Sequence, residues 1–304
     1  MSTMPMVQLN DSLPAFSRLI YGVWRLADDA DTSTKHVRAK IDACLEQGIS
    51  TFDHADLYGE HRCEALFGKA LAEDSSLRDQ MQLISKCDIA IPCETFPNRR
   101  LKYYDTSPEY IRMSVENSLR LLHTDTLELL LIHRPDPFMD AAAAGAALDA
   151  LIDEGKIRAA GVSNFTPWDW QLLQSNMSHQ LVTNQIEMSL LSRDSFTDGT
   201  LAQLQTVGAK AMAWSPLAGG RLFGDDDEAA QRVKPVLRRI ANEQQVGLDH
   251  VAIAWLLAHS AGILPIVGTN NLERIRGLSK AMSVRMDRET WFELWTAAAG
   301  EEVP

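Results

Sequence analysis

The chain has 304 residues, 45% hydrophobic and 23% charged, the balance of a globular protein long enough to bury a large core without disulfide or metal staples. Its 29 Lys and Arg against 41 Asp and Glu leave a formal charge of −12, which argues against nucleic acid or an anionic membrane as the main partner. No run approaches the ~20 apolar residues of a membrane span, residues 1–10 lack a signal-peptide pattern, and Cys44, Cys63, Cys87 and Cys93 form no C-x-x-C pair or zinc-like set, so a cytoplasmic protein with reduced thiols is expected.

Short apolar runs alternate with longer amphipathic segments from end to end. The first run is 18–24. Residues 33–47 have helical periodicity, with Val37, Ile41, Cys44 and Leu45 on one face and Gly48 as a stop. A strand at 50–54, a helix at 62–72 and a strand at 81–86 follow. Ser107-Pro108-Glu109 opens a helix through 122, with proline in its first turn. Residues 127–133 read as a strand and 139–154 as an Ala-rich helix closed by Gly155. The scheme then repeats, with strands at 157–162, 181–188, 209–214 and 263–267. Helices are expected at 166–174, 197–206, 228–245, 249–259, 272–280 and 286–298. The run Asp225-Asp226-Asp227-Glu228 reads as a solvated loop capping the helix that follows, and Trp291 and Trp295, at i, i+4 spacing, as packing on the wall.

Eight strand–helix units imply parallel pairing, because parallel neighbours need crossover connections. In a chain of this length they fit a closed (β/α)8 TIM barrel, one domain over residues 1–304, with extra helices before the last strand and at the C-terminus. An open nucleotide-binding sheet would favour an early G-x-G-x-x-G, and there is none; a P-loop and a G-x-S-x-G elbow are absent too.

Active-site groups of such barrels sit at the C-terminal ends of the strands. Read in order, those ends are Gly22-Val23-Trp24, Asp53 with Tyr58 in its loop, Lys86, His133, Ser163-Asn164, Gln185 and Glu187, Trp214-Ser215, and Gly268-Thr269-Asn270. Each has an ordinary reading: Asp53 as a helix cap, Lys86 as a solvated lysine, His133 as a satisfied histidine, Tyr58 as a ring packed on Phe67. Together they converge on the barrel mouth. A buried Lys86 needs a carboxylate, which Asp53 supplies. An ammonium beside a phenol lowers its pKa from about 10 toward a useful acid, and an imidazole can orient a carbonyl oxygen. No nucleophilic Ser or Cys is evident, so the attacking group is expected from a cofactor, as hydride.

The segment DHADLYG at 53–59 resembles the D-x-A-x-x-Y-G signature of the aldo-keto reductase family. LLLIHRP at 129–135, GVSNF at 161–165, NQIE at 184–187, AWSPL at 213–217 and PIVGTNNLER at 265–274 are similar to family segments and stand in family order. The likeness is greatest to the bacterial oxidoreductase branch with LLIHRPDP, here 130–137. The resemblance implies a catalytic tetrad of Asp53, Tyr58, Lys86 and His133, with Tyr58 as proton donor. It implies NADP(H), preferred over NAD(H), lying across the mouth, and no metal. Ser163, Asn164 and Gln185 match the carboxamide contacts, and Trp214 the ring stacked on the nicotinamide. Gly22, Val23, Trp24, Asp53, Ser215, Leu217, Gly219, Gly268, Thr269, Asn270 and Arg274 match the remaining cofactor contacts. Many members have Lys where this chain has Gly268 and Asn where it has Leu278; Arg274 remains to grip a phosphate, and Arg276 reads either as a compensating cation or as a solvated helix residue. Trp24, Tyr58 and His133 should border the substrate, an aldehyde or ketone, under the loop at 87–106 with Phe96, Arg99, Arg100, Lys102, Tyr103 and Tyr104. That cluster reads either as a solvated lid or as a selector for an anionic substrate. The expected assembly is a monomer or homodimer with no nucleic-acid or membrane partner. A redox-sensing regulatory subunit of the same fold is the alternative; a metal-dependent barrel hydrolase would need an H-x-H on the first strand, which is absent.

Overall fold

The computed structural model describes residues 4–304. The chain enters through a hairpin of β1 (Met6–Val7) and β2 (Phe16–Ser17), followed by β3 (Ile20–Gly22), β4 (Thr51–Asp53) and β5 (Gln82–Cys87). A second hairpin, β6 (Ile89–Ala90) with β7 (Tyr103–Tyr104), stands above the barrel edge. β8 (Leu129–Ile132), β9 (Ala160–Ser163), β10 (Thr183–Glu187), β11 (Lys210–Trp214) and β12 (Leu264–Val267) complete the set. Eight strands close a barrel in the order β3-β4-β5-β8-β9-β10-β11-β12, every pair parallel, as the alternation of runs predicts. The helices are α1 (Thr34–Leu45), a short turn α2 (Tyr58–His61), α3 (Cys63–Glu73), α4 (Pro108–Leu121), α5 (Ala141–Asp153), α6 (Pro167–Gln174), α7 (Thr200–Thr206), α8 (Glu228–Gln244), α9 (Leu248–Leu257), α10 (Leu272–Gly277) and α11 (Arg288–Ala299).

Local chemistry sets the helix starts. Ser107 accepts from the Tyr110 N–H ahead of Pro108 at the start of α4, and Thr166 forms a capping box with Asp169 at α6. Asp227 caps α8 through the Ala230 N–H, the role read for the acidic run. Several boundaries differ from the periodicity, among them the strand expected from 157, which begins at Ala160. The segment after Gly277 tightens into a 3-10 turn over Leu278–Ser283, and residues 197–199 precede α7 instead of joining it. Neither hairpin is visible in the periodicity, because strands of two residues are too short to show alternation.

Strand period two divides the apolar residues into two layers. Tyr21, Phe52, Leu83, Leu130 and Ile132 face the helices in the larger core. Ile20, Ile84, Leu129, Leu131, Met212 and Leu264 fill the barrel interior, closed below by Leu9, Leu13 and Phe16 of the first hairpin. On α11, Trp291 stacks on Trp255 of α9 at 4.9 Å and on Trp295 at 5.4 Å, and the indole N–H groups of Trp255 and Trp291 each donate to the other's backbone carbonyl. Helix α3 meets the end of α4 at Gly68, where a Cβ would lie 1.8 Å from the Leu121 carbonyl oxygen. Gly68→Ala is therefore expected to cost about 3 kcal/mol, seen as a lowered midpoint in urea unfolding, because backbone and not a flexible side chain blocks the methyl.

Candidate active site

The same alternation that sends Phe52 outward turns Asp53 inward, and it does so for Lys86 after Ile84 and His133 after Leu131. A slip of one residue in any of these strands would aim the polar group at the helices instead. Tyr58 lies beyond β4, where its N–H bonds Ala55 O at 3.2 Å and Gly59 and Glu60 (φ 59° and 56°) turn the chain back into α3.

Lys86 is fully buried and its Nζ donates to three oxygens: Asp53 Oδ2 at 2.7 Å, the His54 carbonyl at 2.7 Å and Tyr58 Oη at 2.9 Å. Burial disfavours its charge, but Asp53 and Tyr58 outweigh that and hold the ammonium above its ordinary pKa. Burial likewise pushes the Tyr58 phenol up while Lys86 pulls it down. The net direction is upward. The lowering expected from Lys86 is present but is outweighed by desolvation. The rings of Tyr58 and His133 meet edge to face at 5.9 Å, whereas Phe67 packs on His54 and Phe52. Burial, then Lys86, Arg134 and Lys102, holds His133 well below the usual histidine range, so its imidazole is neutral at pH 7, and its Nδ1 is buried without a partner.

The polar ends of β9, β10 and β11 join this cluster. Gln185 Nε2 donates to Asp53 Oδ1 at 2.8 Å, so both carboxylate oxygens are engaged. Ser163 Oγ donates to Gln185 O at 2.8 Å, Asn164 Nδ2 to Ser163 Oγ at 2.8 Å and to His133 O at 3.3 Å, and Trp214 Nε1 to Asn164 Oδ1 at 2.9 Å. A flat indole thus lies beside three amide or hydroxyl groups at the barrel mouth. Val23 N bonds Asp53 O at 3.0 Å, and Trp24 is 55% exposed at the rim. Ser215 turns at φ 49°, Leu217 is half-buried, and Gly219 (φ 65°) has open space where a side chain would begin.

The residues after β12 stand apart from the tetrad. Gly268 lies so close to β3 that a Cβ would be 3.0 Å from the Gly22 carbonyl oxygen. The Thr269 carbonyl accepts from Tyr21 Oη at 2.8 Å. Asn270 Oδ1 accepts from Lys40 Nζ at 3.0 Å and its Nδ2 donates to Arg25 O at 2.7 Å. Arg274 is exposed with no ion pair among the described residues, whereas Arg276 pairs with Glu273 at 2.5 Å and Leu278 is buried in the core. Leu278 is thus committed to packing rather than to a ligand. No group of three or more His, Cys, Asp or Glu among the described residues is placed to hold a metal.

Two features escaped the sequence reading. Lys40, fully buried and paired with Asp29 and Asn270, anchors the β12 loop; its one signal is a lysine beside the apolar face of a helix. His54 is buried with neither ring nitrogen bonded, and burial followed by Lys86 drives its pKa to about 3. Its carbonyl, not its ring, serves the site.

Residues 18–297 match the sequence profile of the Aldo/keto reductase family. The chain is 54% identical over 300 residues to a 6-dehydroglucose reductase of Agrobacterium fabrum, covering 99% of this chain and 100% of that one. Among solved structures it is similar to the thermostable aldo-keto reductase Tm1743, crystallised with the inhibitor epalrestat, at a TM-score of 0.81 and 26% identity over 97% of this chain and 100% of that one. It is also similar to an aldo/keto reductase from Klebsiella pneumoniae in complex with NADP and acetate, at a TM-score of 0.75 and 25% identity over 95% and 94% of the two chains.

Proposed function

The chain belongs to the aldo/keto reductase family, and on that basis we propose that it is an NADPH-dependent reductase acting on the C6 aldehyde of a hexose, 6-dehydroglucose or a near analogue. The observation that carries the reaction class is the convergence of Tyr58 Oη, Lys86 Nζ and the neutral His133 ring at one barrel end. NADPH supplies the hydride when bound. Tyr58 gives its proton to the carbonyl oxygen, and Lys86, held by Asp53, keeps the phenol ionisable. His133, neutral, hydrogen-bonds the same oxygen and fixes the carbonyl in the plane that Tyr58 faces.

The donor set fits a dinucleotide. Trp214 offers the nicotinamide a stacking face, and Ser163, Asn164 and Gln185 can exchange their mutual bonds for the carboxamide. The family resemblance supports assigning Gly22, Val23, Ser215, Leu217 and Gly219 to the pyrophosphate path, with Trp24 and Gly268 among the remaining cofactor contacts. Thr269, Asn270 and Arg274 receive the adenosine end. Trp24, Tyr58 and His133 border the substrate. Lys102 and Arg134, whose charges reach His133, are donors of the kind that sugar hydroxyls accept from. No described helix is long and apolar enough to cross a membrane, and we place the protein in the cytoplasm as one catalytic domain.

The test is oxidation of NADPH by the purified protein with 6-dehydroglucose, beside simple aldehydes, and with NADH in place of NADPH. Turnover of simple aldehydes with none of the sugar would overturn the substrate reading and keep the reaction class. Arg274→Ala is expected to raise KM for NADPH about 10- to 100-fold and leave KM for NADH nearly unchanged, the loss of one charged hydrogen bond to a phosphate. Equal effects on both cofactors would remove Arg274 from the 2′-phosphate.

A further inference from the structure

The ladder between β5 and β8 ends at the pair Cys87 and Ile132. The last bond of that ladder is the one His133 N donates to Cys87 O at 2.9 Å. One residue on, Arg134 N donates to a side chain instead, Asp88 Oδ2 at 3.0 Å. Asp88 is buried at φ +102°, in the region that favours glycine and beyond the range where Asn and Asp are usually tolerated. That turn carries its carbonyl away from β8 and onto Asp105 N at 2.8 Å, at the foot of the loop over the site. A chain needing only the turn would be served by glycine. What aspartate adds is a side-chain acceptor where the backbone can no longer provide one.

We propose that Asp88 is a positioning residue of the reductase, its carboxyl fixing the exit of the chain from His133 and its strained backbone tying that exit to the loop at residues 87–106. The proposal rests on the reading of His133 as the group that orients the carbonyl. Burial holds the Asp88 carboxyl well above the usual carboxylate range; the Arg134 N–H opposes this and Asp56 and Asp136 reinforce it. Its Oδ1 is buried without a partner, so the Arg134 N–H is the one contact that holds the carboxyl among the described residues. Strain retained beside reacting groups is the usual place for it.

The experiment compares Asp88→Gly with Asp88→Asn. Glycine relieves the backbone and removes the acceptor. We expect its Tm to hold or rise while kcat falls about tenfold, with KM for NADPH unchanged, because a displaced group costs rate and not cofactor affinity. Asparagine keeps the acceptor in a neutral side chain, so its kcat should stay within about twofold of wild type. The His133 imidazole Cε1–H resonance, assigned by its loss in His133→Asn, should move in Asp88→Gly and stay in Asp88→Asn. That signal is read without turnover, so it tests Asp88 even if the wild type proves inactive on sugars. Unchanged kcat and resonance in the glycine variant, equal losses in both variants, or a fall in Tm parallel to the fall in kcat would each overturn the proposal.

Discussion

Tyr58→Phe is expected to reduce kcat for carbonyl reduction about a thousandfold while leaving a folded protein that binds NADPH as the wild type does. The substitution removes one oxygen and keeps the ring that packs edge to face on His133. Lys86 loses one of its three acceptors but keeps Asp53 Oδ2 and the His54 carbonyl, so the unfolding midpoint should move little. Cofactor affinity, followed by quenching of tryptophan fluorescence, should stay within about twofold, because in the proposed reaction the phenol acts on the substrate oxygen. The pH profile adds a second reading. Reduction needs the protonated phenol, so the rate is full below the phenol pKa and falls as pH rises through it. Burial, the largest influence on Tyr58, moves that alkaline limb up, and Lys86 draws it back. The limb should be absent from what activity remains in Tyr58→Phe. Turnover near the wild-type rate would remove Tyr58 as the acid.

Lys86→Met is expected to fail in two ways at once. The ammonium is the one group that lowers the phenol pKa by both charge and hydrogen bonding, so kcat should drop by about a thousandfold here too. Unlike Tyr58→Phe, this change should also destabilise the fold. Asp53 would stay buried with Gln185 as its remaining side-chain partner, and the His54 carbonyl would lose its donor. Breaking a buried ion pair from one side costs about 3–5 kcal/mol, measurable by urea unfolding. The double variant Asp53→Leu with Lys86→Met separates the two effects. Apolar replacement of both partners should recover much of the stability, since neither charge is then left unpaired, and should recover none of the activity. Recovery of turnover in the double variant would show that the pair only holds the barrel together.

The two failures differ because the site spends burial differently on its members. Tyr58 is half-buried at the mouth and can lose its oxygen cheaply. Lys86 is fully buried in the same cluster, where its Nζ serves three oxygens and removing it leaves Asp53 Oδ2 and the His54 carbonyl without their donor. Asp88 is a third case: its side chain is held in a costly backbone conformation, so removal should release stability while loosening the site.

Much of this was legible along the chain because the relevant signals are local. Strand period two and the 3.6-residue helix period are properties of consecutive residues, and Ser107-Pro108, Thr166-Pro167 and Asp227 announce helix starts through bonds three residues long. Eight such units left a closed parallel barrel as the economical packing, and inward-facing Asp53, Lys86 and His133 at the ends of neighbouring strands followed from the same period. The DHADLYG, GVSNF and PIVGTNNLER segments added the family likeness that the whole-chain comparison then bore out. What tertiary structure alone decided depends on distances between residues far apart in sequence. Whether burial or Lys86 prevails at the Tyr58 phenol is a contest between desolvation and charge that no local pattern encodes. That Leu278 is a core residue, that Lys40 is sealed against Asn270 across 230 positions, and that Asp88 takes over where the strand ladder ends all required the barrel to close first.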